Sequence, residues 1–436
     1  MARSPVDSRV LLAVLLAVGL LVFNRTCGDG PASEEDTRTP FAFLFDSQHL
    51  PIFELTLPES SVRNLAEDPF VYQPADFTYR SPSDARDAIV LPSVGVRLKG
   101  LGSFRPIGGK PALKIRFDKY LKRQHFFGLR RLTLNNMKQD PSMVRERLAY
   151  HFFRKAGLVA PLCNSARLFV NGAYYGLYAN VQTIDRIFVQ THFAPAPGNL
   201  YDLSTETYGI DLEPRWKQFF VLETNRVQND TSDLDELIRT IDGPHESFVS
   251  AAESVVDLDQ WLAVGAAQAI IAGWDSYFGG PNNYKLYHEL GCDRFLLFPW
   301  GVDQTFGILN GRFKYMRYPI DGSRSNGRLF RRCTTSPECY GRYLAHVESK
   351  LQLWESSDLP AELDRIFRQI RPSVFEDKRR GYPYEEFERA VEEVRRFLLR
   401  RGHIVRLQLA REQAGHGHLA RRQAAEAPGR ALGRIE

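Results

Sequence analysis

Several enzyme signatures are missing from this 436-residue chain. It contains no G-x-S-x-G elbow, no H-E-x-x-H helix and no G-x-x-x-x-G-K-[ST] loop. These absences set aside the usual serine-hydrolase, zincin and P-loop chemistries. One-sided charge is also lacking: 57 Lys+Arg against 52 Asp+Glu leave a net +5. That excess is too small to point to nucleic acid. No internal repeat occurs, and no long low-complexity stretch lies between Phe41 and about Arg411. What remains is ordinary globular composition, 43% hydrophobic and 25% charged. The 29 Phe and 18 Tyr are enough for a large core.

The one long apolar run is terminal. Val10 to Phe23 follows Arg3 and Arg9. It is shorter than the ~20 residues a spanning helix needs and fits the apolar region of a secretory signal. No small-x-small cleavage site follows, so residues 1–23 read as a signal peptide or signal anchor, a membrane tether through residues 10–23. Residues 24–40 read as a polar linker, and residues 411–436 as a disordered basic tail. His416 and His418 in that tail read as a chance pair. Export would place the chain outside the cytoplasm and in an oxidising compartment. Of the five cysteines, Cys333 and Cys339 then form a plausible local disulfide, and Cys163 with Cys292 is a further possible pair.

The first half alternates like sheet. Val94–Lys99 and Ala112–Phe117 are strand patterns around a glycine-rich loop, which predicts a hairpin. A helix is expected from about Ser142 to Ala156. The turn Asn171-Gly172 between apolar runs predicts a second hairpin. Helical patterns at Asp257–Ile271 and Glu385–Leu409 dominate the second half, with short strands at 284–287 and 295–300 between them. A β-rich lobe followed by an α-rich lobe implies a cleft.

Three features could furnish a nucleotide site. Gly100, Gly102 and Ser103 precede a strand carrying Lys114, an arrangement that lets backbone N–H groups and an ammonium meet phosphates. A plain glycine turn with surface lysines is the other reading. Asp303, followed by Phe306-Gly307, could hold a divalent ion bridging phosphates; an Asx turn explains it equally. Asp275 and Asn283 stand in the order of a kinase catalytic acid and its metal-binding Asn, or in an ordinary polar loop. Glycine loop, lysine, Asp/Asn and Asp-x-x-Phe-Gly together follow kinase order.

The chain resembles the CotH family, spore-coat protein H-type secreted atypical kinases, from about Phe45 to Leu409. The blocks that carry the resemblance include Val94-Gly-Val-Arg-Leu-Lys-Gly100, Lys110-Pro-Ala-Leu-Lys-Ile-Arg-Phe-Asp118, and Arg145-Glu-x-Leu-Ala149. Further along they include Val170-Asn-Gly-x-Tyr-Tyr-Gly-Leu-Tyr178, Trp274-Asp275, Asn283-Tyr-Lys-Leu-Tyr287, and Pro299-Trp300 leading to Asp303 and Phe306-Gly307.

The resemblance implies an α+β, bilobal atypical protein-kinase-like fold over residues 41–410. Its N-lobe would be about 41–200 and its C-lobe about 201–410, with ATP and Mg²⁺ or Mn²⁺ in the cleft and an envelope protein as acceptor. Lys114, or Lys110, would contact phosphate. Asp275 would be the catalytic acid, and Asp303 and Asn283 the metal ligands. Two positions depart from relatives: Gly301 replaces the first Asp of Pro-Trp-Asp-x-Asp, and Gln182 replaces a Glu. The second reading is therefore a non-catalytic nucleotide-binding or structural coat protein.

Overall fold

The computed structural model describes residues 39–81, 88–193, 197–204, 207–244 and 248–415. The apolar run at 10–23, Cys27, and the His416/His418 tail lie outside them. The fold is α+β and two-lobed.

The N-terminal lobe is a closed barrel. In chain order it contains β1 (Ile52–Thr56), α1 (Glu59–Glu67), β2 (Gln73–Arg80), β3 (Ala88–Lys99), β4 (Ala112–Arg116), β5 (Arg131–Asn135), α2 (Arg145–Lys155), β6 (Cys163–Val170) and β7 (Ala173–Val181). The strand order is β1-β2-β3-β4-β5-β7-β6, closed by β1 on β6. That closing pair is parallel, with Ile52 opposite Arg167, while the other pairs are antiparallel. Period-two alternation turns Phe53, Phe77, Val96, Leu98, Ile115 and Leu134 into the barrel core. The same alternation turns Arg97, Lys99, Lys114 and Asn135 to the opposite face, over the cleft.

Both predicted hairpins are present, as β3–β4 and β6–β7. Asn171 and Gly172 take positive φ at the second turn, which suits a two-residue hairpin. The α2 helix begins at Arg145, three residues later than expected from Ser142. Asp140 explains the delay. Its carboxylate accepts the backbone N–H groups of Ser142 and Arg145, so the preceding turn is an acidic cap.

The C-terminal lobe holds α3 (Arg186–His192), β8 (Leu200–Leu203), β9 (Phe220–Leu222), α4 (Ser232–Asp242), α5 (Phe248–Val255) and α6 (Leu258–Ile270). After these come β10 (Tyr284–Glu289), β11 (Arg294–Pro299), β12 (Ile308–Leu309) and β13 (Arg312–Phe313). The last helices are α7 (Arg328–Cys333), α8 (Pro337–Ser356), α9 (Leu359–Glu376) and α10 (Tyr384–Gln413). A sheet of order β11-β10-β8-β9 faces the cleft. The last helix runs to Gln413, so residues 411–413 are helical rather than tail. Arg401 on α10 is wholly buried and donates to the carbonyls of Ala269, Ile270, Met316 and Tyr318. It thereby fixes the end of α6, from which the loop carrying Asp275 departs.

Cys333 and Cys339 form a disulfide joining α7 to α8. Cys163 is a free thiol, so it is not paired with Cys292. Among the described residues no helix is long and apolar enough to cross a membrane.

Candidate functional site

A cavity of about 1140 Å³ separates the two lobes. Its roof is the outer face of β3, β4 and β5 with the loop that follows β3; its floor is the 273–283 loop and the segment after β11. Gly100, Gly102, Ser103, Lys114, Asp275, Asn283 and Asp303 all line it. These residues span the chain from 100 to 303, and the two-lobed fold brings them together.

Two residues proposed from sequence do not reach it. Lys110 is turned away and buried, its Nζ 2.6 Å from Asp377 Oδ2, so its charge is spent on a structural ion pair. Gln182 is buried just beyond the end of β7, where its Oε1 accepts the N–H of Leu162 at 3.0 Å. It faces neither a lysine nor the cleft, so the Glu-to-Gln departure removes no charge from the site.

The carboxylate facing the roof cations is instead Glu146, in the first turn of α2. Lys99 Nζ donates to Asn135 Oδ1 at 2.5 Å. Asn135 Nδ2 donates to both oxygens of Glu146, at 2.8 and 2.9 Å. Burial raises the Glu146 carboxyl above the ordinary range; the Asn135 bond and Lys99 oppose this. Lys99, Asn135 and Glu146 received no role from the sequence. The alternation that put Lys114 on the cleft face also puts Lys99 there, and Glu146 lies in the Arg145-Glu block. Only the pairing of strands shows that they meet.

Below them, burial pushes the Asp303 carboxyl well up, and the charges of Glu146, Asp275 and Asp140 push it further. Asp275 is raised too, by burial, against hydrogen bonds from Asn282 and Asn283, each 2.8 Å long. Asn283 therefore spends its amide N–H on Asp275. Its Oδ1 faces Gly301, where a Cβ would meet it at 2.7 Å. Gly301 has φ +56. The glycine is a steric and conformational requirement here, as well as a missing carboxylate.

Half-buried carboxylates of Asp275 and Asp303 beside the Asn283 amide oxygen form a hard-oxygen donor set of the kind Mg²⁺ or Mn²⁺ takes. Among the described residues no group of three His, Cys, Asp or Glu could hold a metal on its own. A site of one or two protein carboxylates completed by phosphate oxygens matches Mg²⁺ practice.

Lys114 sits among like charges. Burial lowers its pKa to about 7; Asp202 opposes the fall, and Lys285, Arg97 and Lys99 add to it. Lys285 takes Asp202 at 2.8 Å. The ammonium groups of Lys99 and Lys285 both lie near the Trp300 ring, 5.8 and 5.4 Å from its centroid. Phe306 anchors the Asp303 segment by packing on Phe397 and Trp354 in the helical core.

The profile of the family described as CotH kinase protein matches residues 96–405, well over half of the chain. The chain belongs to the CotH kinase protein family. Inner spore coat protein H of Bacillus subtilis is 25% identical over 275 residues, covering 61% of this chain and 74% of that protein. Invasin CotH7 of Rhizopus delemar is 22% identical over 197 residues, 43% of this chain and 32% of that protein. Among solved structures, the Helicobacter pylori proinflammatory kinase CtkA aligns with a TM-score of 0.27 at 10% identity, covering 69% of this chain and 95% of that one.

Proposed function

We propose that this CotH-family chain transfers phosphate from ATP to a hydroxyl of a protein substrate outside the cytoplasm. The observation that carries the reading is the cleft itself: a cationic roof at Lys99 and Lys114 above a floor of Asp275, Asn283 and Asp303. Phosphoryl transfer is mostly positioning and charge neutralisation, and this arrangement supplies both. Asp303 and the Asn283 side-chain oxygen would hold the divalent ion, which supplies charge neutralisation at the phosphates. The glycine-loop backbone and roof ammonium groups take phosphate oxygens. Asp275, held by two asparagine amides, orients the acceptor hydroxyl and receives its proton. The acceptor oxygen–phosphorus bond forms as the bond to the ADP oxygen breaks.

Export rests on the N-terminal apolar run and on the coat and invasin names of the relatives. The run at residues 10–23 would leave the protein secreted or tethered to the membrane. A non-catalytic envelope protein is the second reading, favoured by the sparse carboxylate set.

The test is incubation of the purified full chain with labelled ATP and Mg²⁺ or Mn²⁺, beside Asp303→Ala. Phosphate incorporation lost in the variant supports the kinase reading. A folded wild type that binds ATP without transferring phosphate supports the second.

A further inference from the structure

We infer that the acceptor is an acidic polypeptide segment, and that Arg331 and Arg324 hold the carboxylates that flank its hydroxyl. The inference deepens the kinase reading above by naming its substrate class, and it rests on that reading.

The chain concentrates its positive charge in one place. From Asn310 to Arg332 stand seven Lys or Arg and one Asp, a net +6, against +5 for the whole chain. The rest of the molecule is therefore slightly acidic. Arg328 is neutralised by Asp242 at the end of α4, and Arg332 donates to the carbonyls of Ile241 and Pro244. Arg312, Lys314, Arg317, Arg324 and Arg331 are exposed, and among the described residues none of them pairs with a carboxylate. Unpaired like charges along one stretch repel one another and build a positive potential that an acidic partner relieves.

That stretch is fastened to the loop that carries Asp275. Trp274 Nε1 donates to the carbonyl of Ile308 at 2.9 Å. The backbone N–H of Asn326 donates to the carbonyl of Phe278 at 3.2 Å, and its Nδ2 to that of Gly279 at 2.8 Å. The Leu329 N–H donates to the Tyr277 hydroxyl at 3.0 Å. The cations therefore keep a fixed place beside the acid that receives the acceptor's proton. Arg331 and Asn326 line the cavity together with Asp275 and Asn282. The Arg324 guanidinium lies 5.4 Å from the centroid of the Tyr315 ring, which packs edge-on against the cavity-lining Trp274.

The carboxylates already at this end of the cavity are committed. Glu213 takes Arg215 at 2.8 Å. Asp211 feels the charge of Arg331, but it is buried and accepts the N–H groups of Leu212 and Arg328. The nucleotide phosphates belong with the glycine loop and Asp303, which leaves Arg331 and Arg324 for the second substrate. A segment whose hydroxyl meets Asp275 would lay its neighbouring residues along this stretch. Asp or Glu side chains there would meet guanidinium forks, whose planar donors match a carboxylate.

The experiment uses the purified full chain, labelled ATP with Mg²⁺ or Mn²⁺, and a set of peptides with a central serine. Its flanks are Asp and Glu, Ala, Lys and Arg, or phosphoserine. Two exposed ion pairs contribute on the order of a tenfold preference, so kcat/KM for the acidic peptide should exceed that for the alanine peptide by about this factor, with salt reducing it. Arg324→Gln with Arg331→Gln should remove the preference. Arg324→Glu with Arg331→Glu should turn it toward the Lys/Arg peptide, which loss of folding cannot do. Fluorescence anisotropy of a dye-labelled acidic peptide reads the same contacts without chemistry. Phosphate transfer with no preference, or with preference for the basic or the phosphoserine peptide, overturns the inference and leaves the kinase reading standing. Acidic-peptide binding that depends on both arginines, without transfer to any peptide, overturns the kinase reading and leaves the acidic-partner surface. Binding to phosphatidylserine vesicles that the acidic peptide does not displace assigns the stretch to a membrane and overturns the inference.

Discussion

Asp377, just past the end of α9, sets its carboxylate 2.6 Å from the ammonium of Lys110 in the β3–β4 loop, with both side chains buried. The same Oδ2 accepts the N–H of Leu177, and Oδ1 accepts that of Arg379. Gly176 makes room: a Cβ there would collide with the Asp377 carboxylate. Arg379 continues the contact, donating to the carbonyls of Gly108 and Gly109. The far end of the glycine loop is thus fastened to the C-terminal lobe.

Removing one partner of such a pair strands the other charge. Asp377→Ala should lose about 3–5 kcal/mol, since Lys110 and two backbone N–H groups all lose their acceptor. Lys110→Met should cost less, because Asp377 keeps its backbone donors. Urea midpoints of the two variants check the order. An Asp377→Ala protein within ~1 kcal/mol of the wild type would contradict the account.

Restoring the family carboxylate at position 301 should harm the protein. Gly301→Asp forces a side chain onto a residue at φ +56 and against Asn283 Oδ1. Asn283 must then release Asp275. Gly301→Ala, which adds only the Cβ, should lower ATP affinity as well. A gain in phosphate transfer in Gly301→Asp with Gly301→Ala neutral would refute this. Gln182→Glu should likewise give no gain, because it places a new charge in a buried pocket away from the cleft.

Lys114 titrates near pH 7 when folded, against about 10.4 in an unfolded chain. Between these values the unfolded state binds the extra proton, so stability rises with pH across the window. Below about pH 7 the folded protein must bury the charge. Lys114→Met should therefore stabilise the ligand-free protein most at pH 6 and progressively less toward pH 9. Inside the window each step of one in pH changes stability by ~1.4 kcal/mol for a single proton, so the gain should differ by ~2 kcal/mol between pH 7 and pH 9. Chemical denaturation at pH 6, 7 and 9 reads the slope; a gain independent of pH would rule out a neutral Lys114.

The disulfide between Cys333 and Cys339 closes a short loop, with a sequence separation of 6. By loop entropy it should contribute about 2 kcal/mol. Cys333→Ser with Cys339→Ser should lower the urea midpoint accordingly, with the far-ultraviolet dichroism preserved. Equal midpoints with and without reductant for the wild type would show that the bridge carries no stability.

The hairpins, the long helices and the order of the cleft residues were legible because alternation, turn chemistry and family blocks are local. The lysine assignments were less so. Lys99, Lys110 and Lys114 lie within sixteen residues of one another, on the two strands of one hairpin and the loop between them. What separates them is their partners. Asp377 stands 267 residues from Lys110, and Glu146 reaches Lys99 through an asparagine on a third strand. Neither distance leaves a periodic trace. The restriction at Gly301 was equally hidden, because it depends on Asn283 in another loop.

The parallel pairing of β1 with β6 dictates a timetable. Ile52–Leu55 hydrogen-bond alongside Arg167–Val170, so the first strand has no second neighbour until more than a hundred further residues exist. During synthesis that strand, with Phe53 and Leu55, must wait with one edge open. Closing so long a loop is slow relative to hairpin formation, and an apolar unpaired edge invites association with other chains. The waiting interval ends only when the β6–β7 hairpin forms, which gives the Asn171-Gly172 turn an influence on yield during biosynthesis. The Asn171 side chain already binds the backbone of Leu57, through Oδ1 to the N–H and Nδ2 to the carbonyl, so the turn that completes the hairpin also captures the waiting strand.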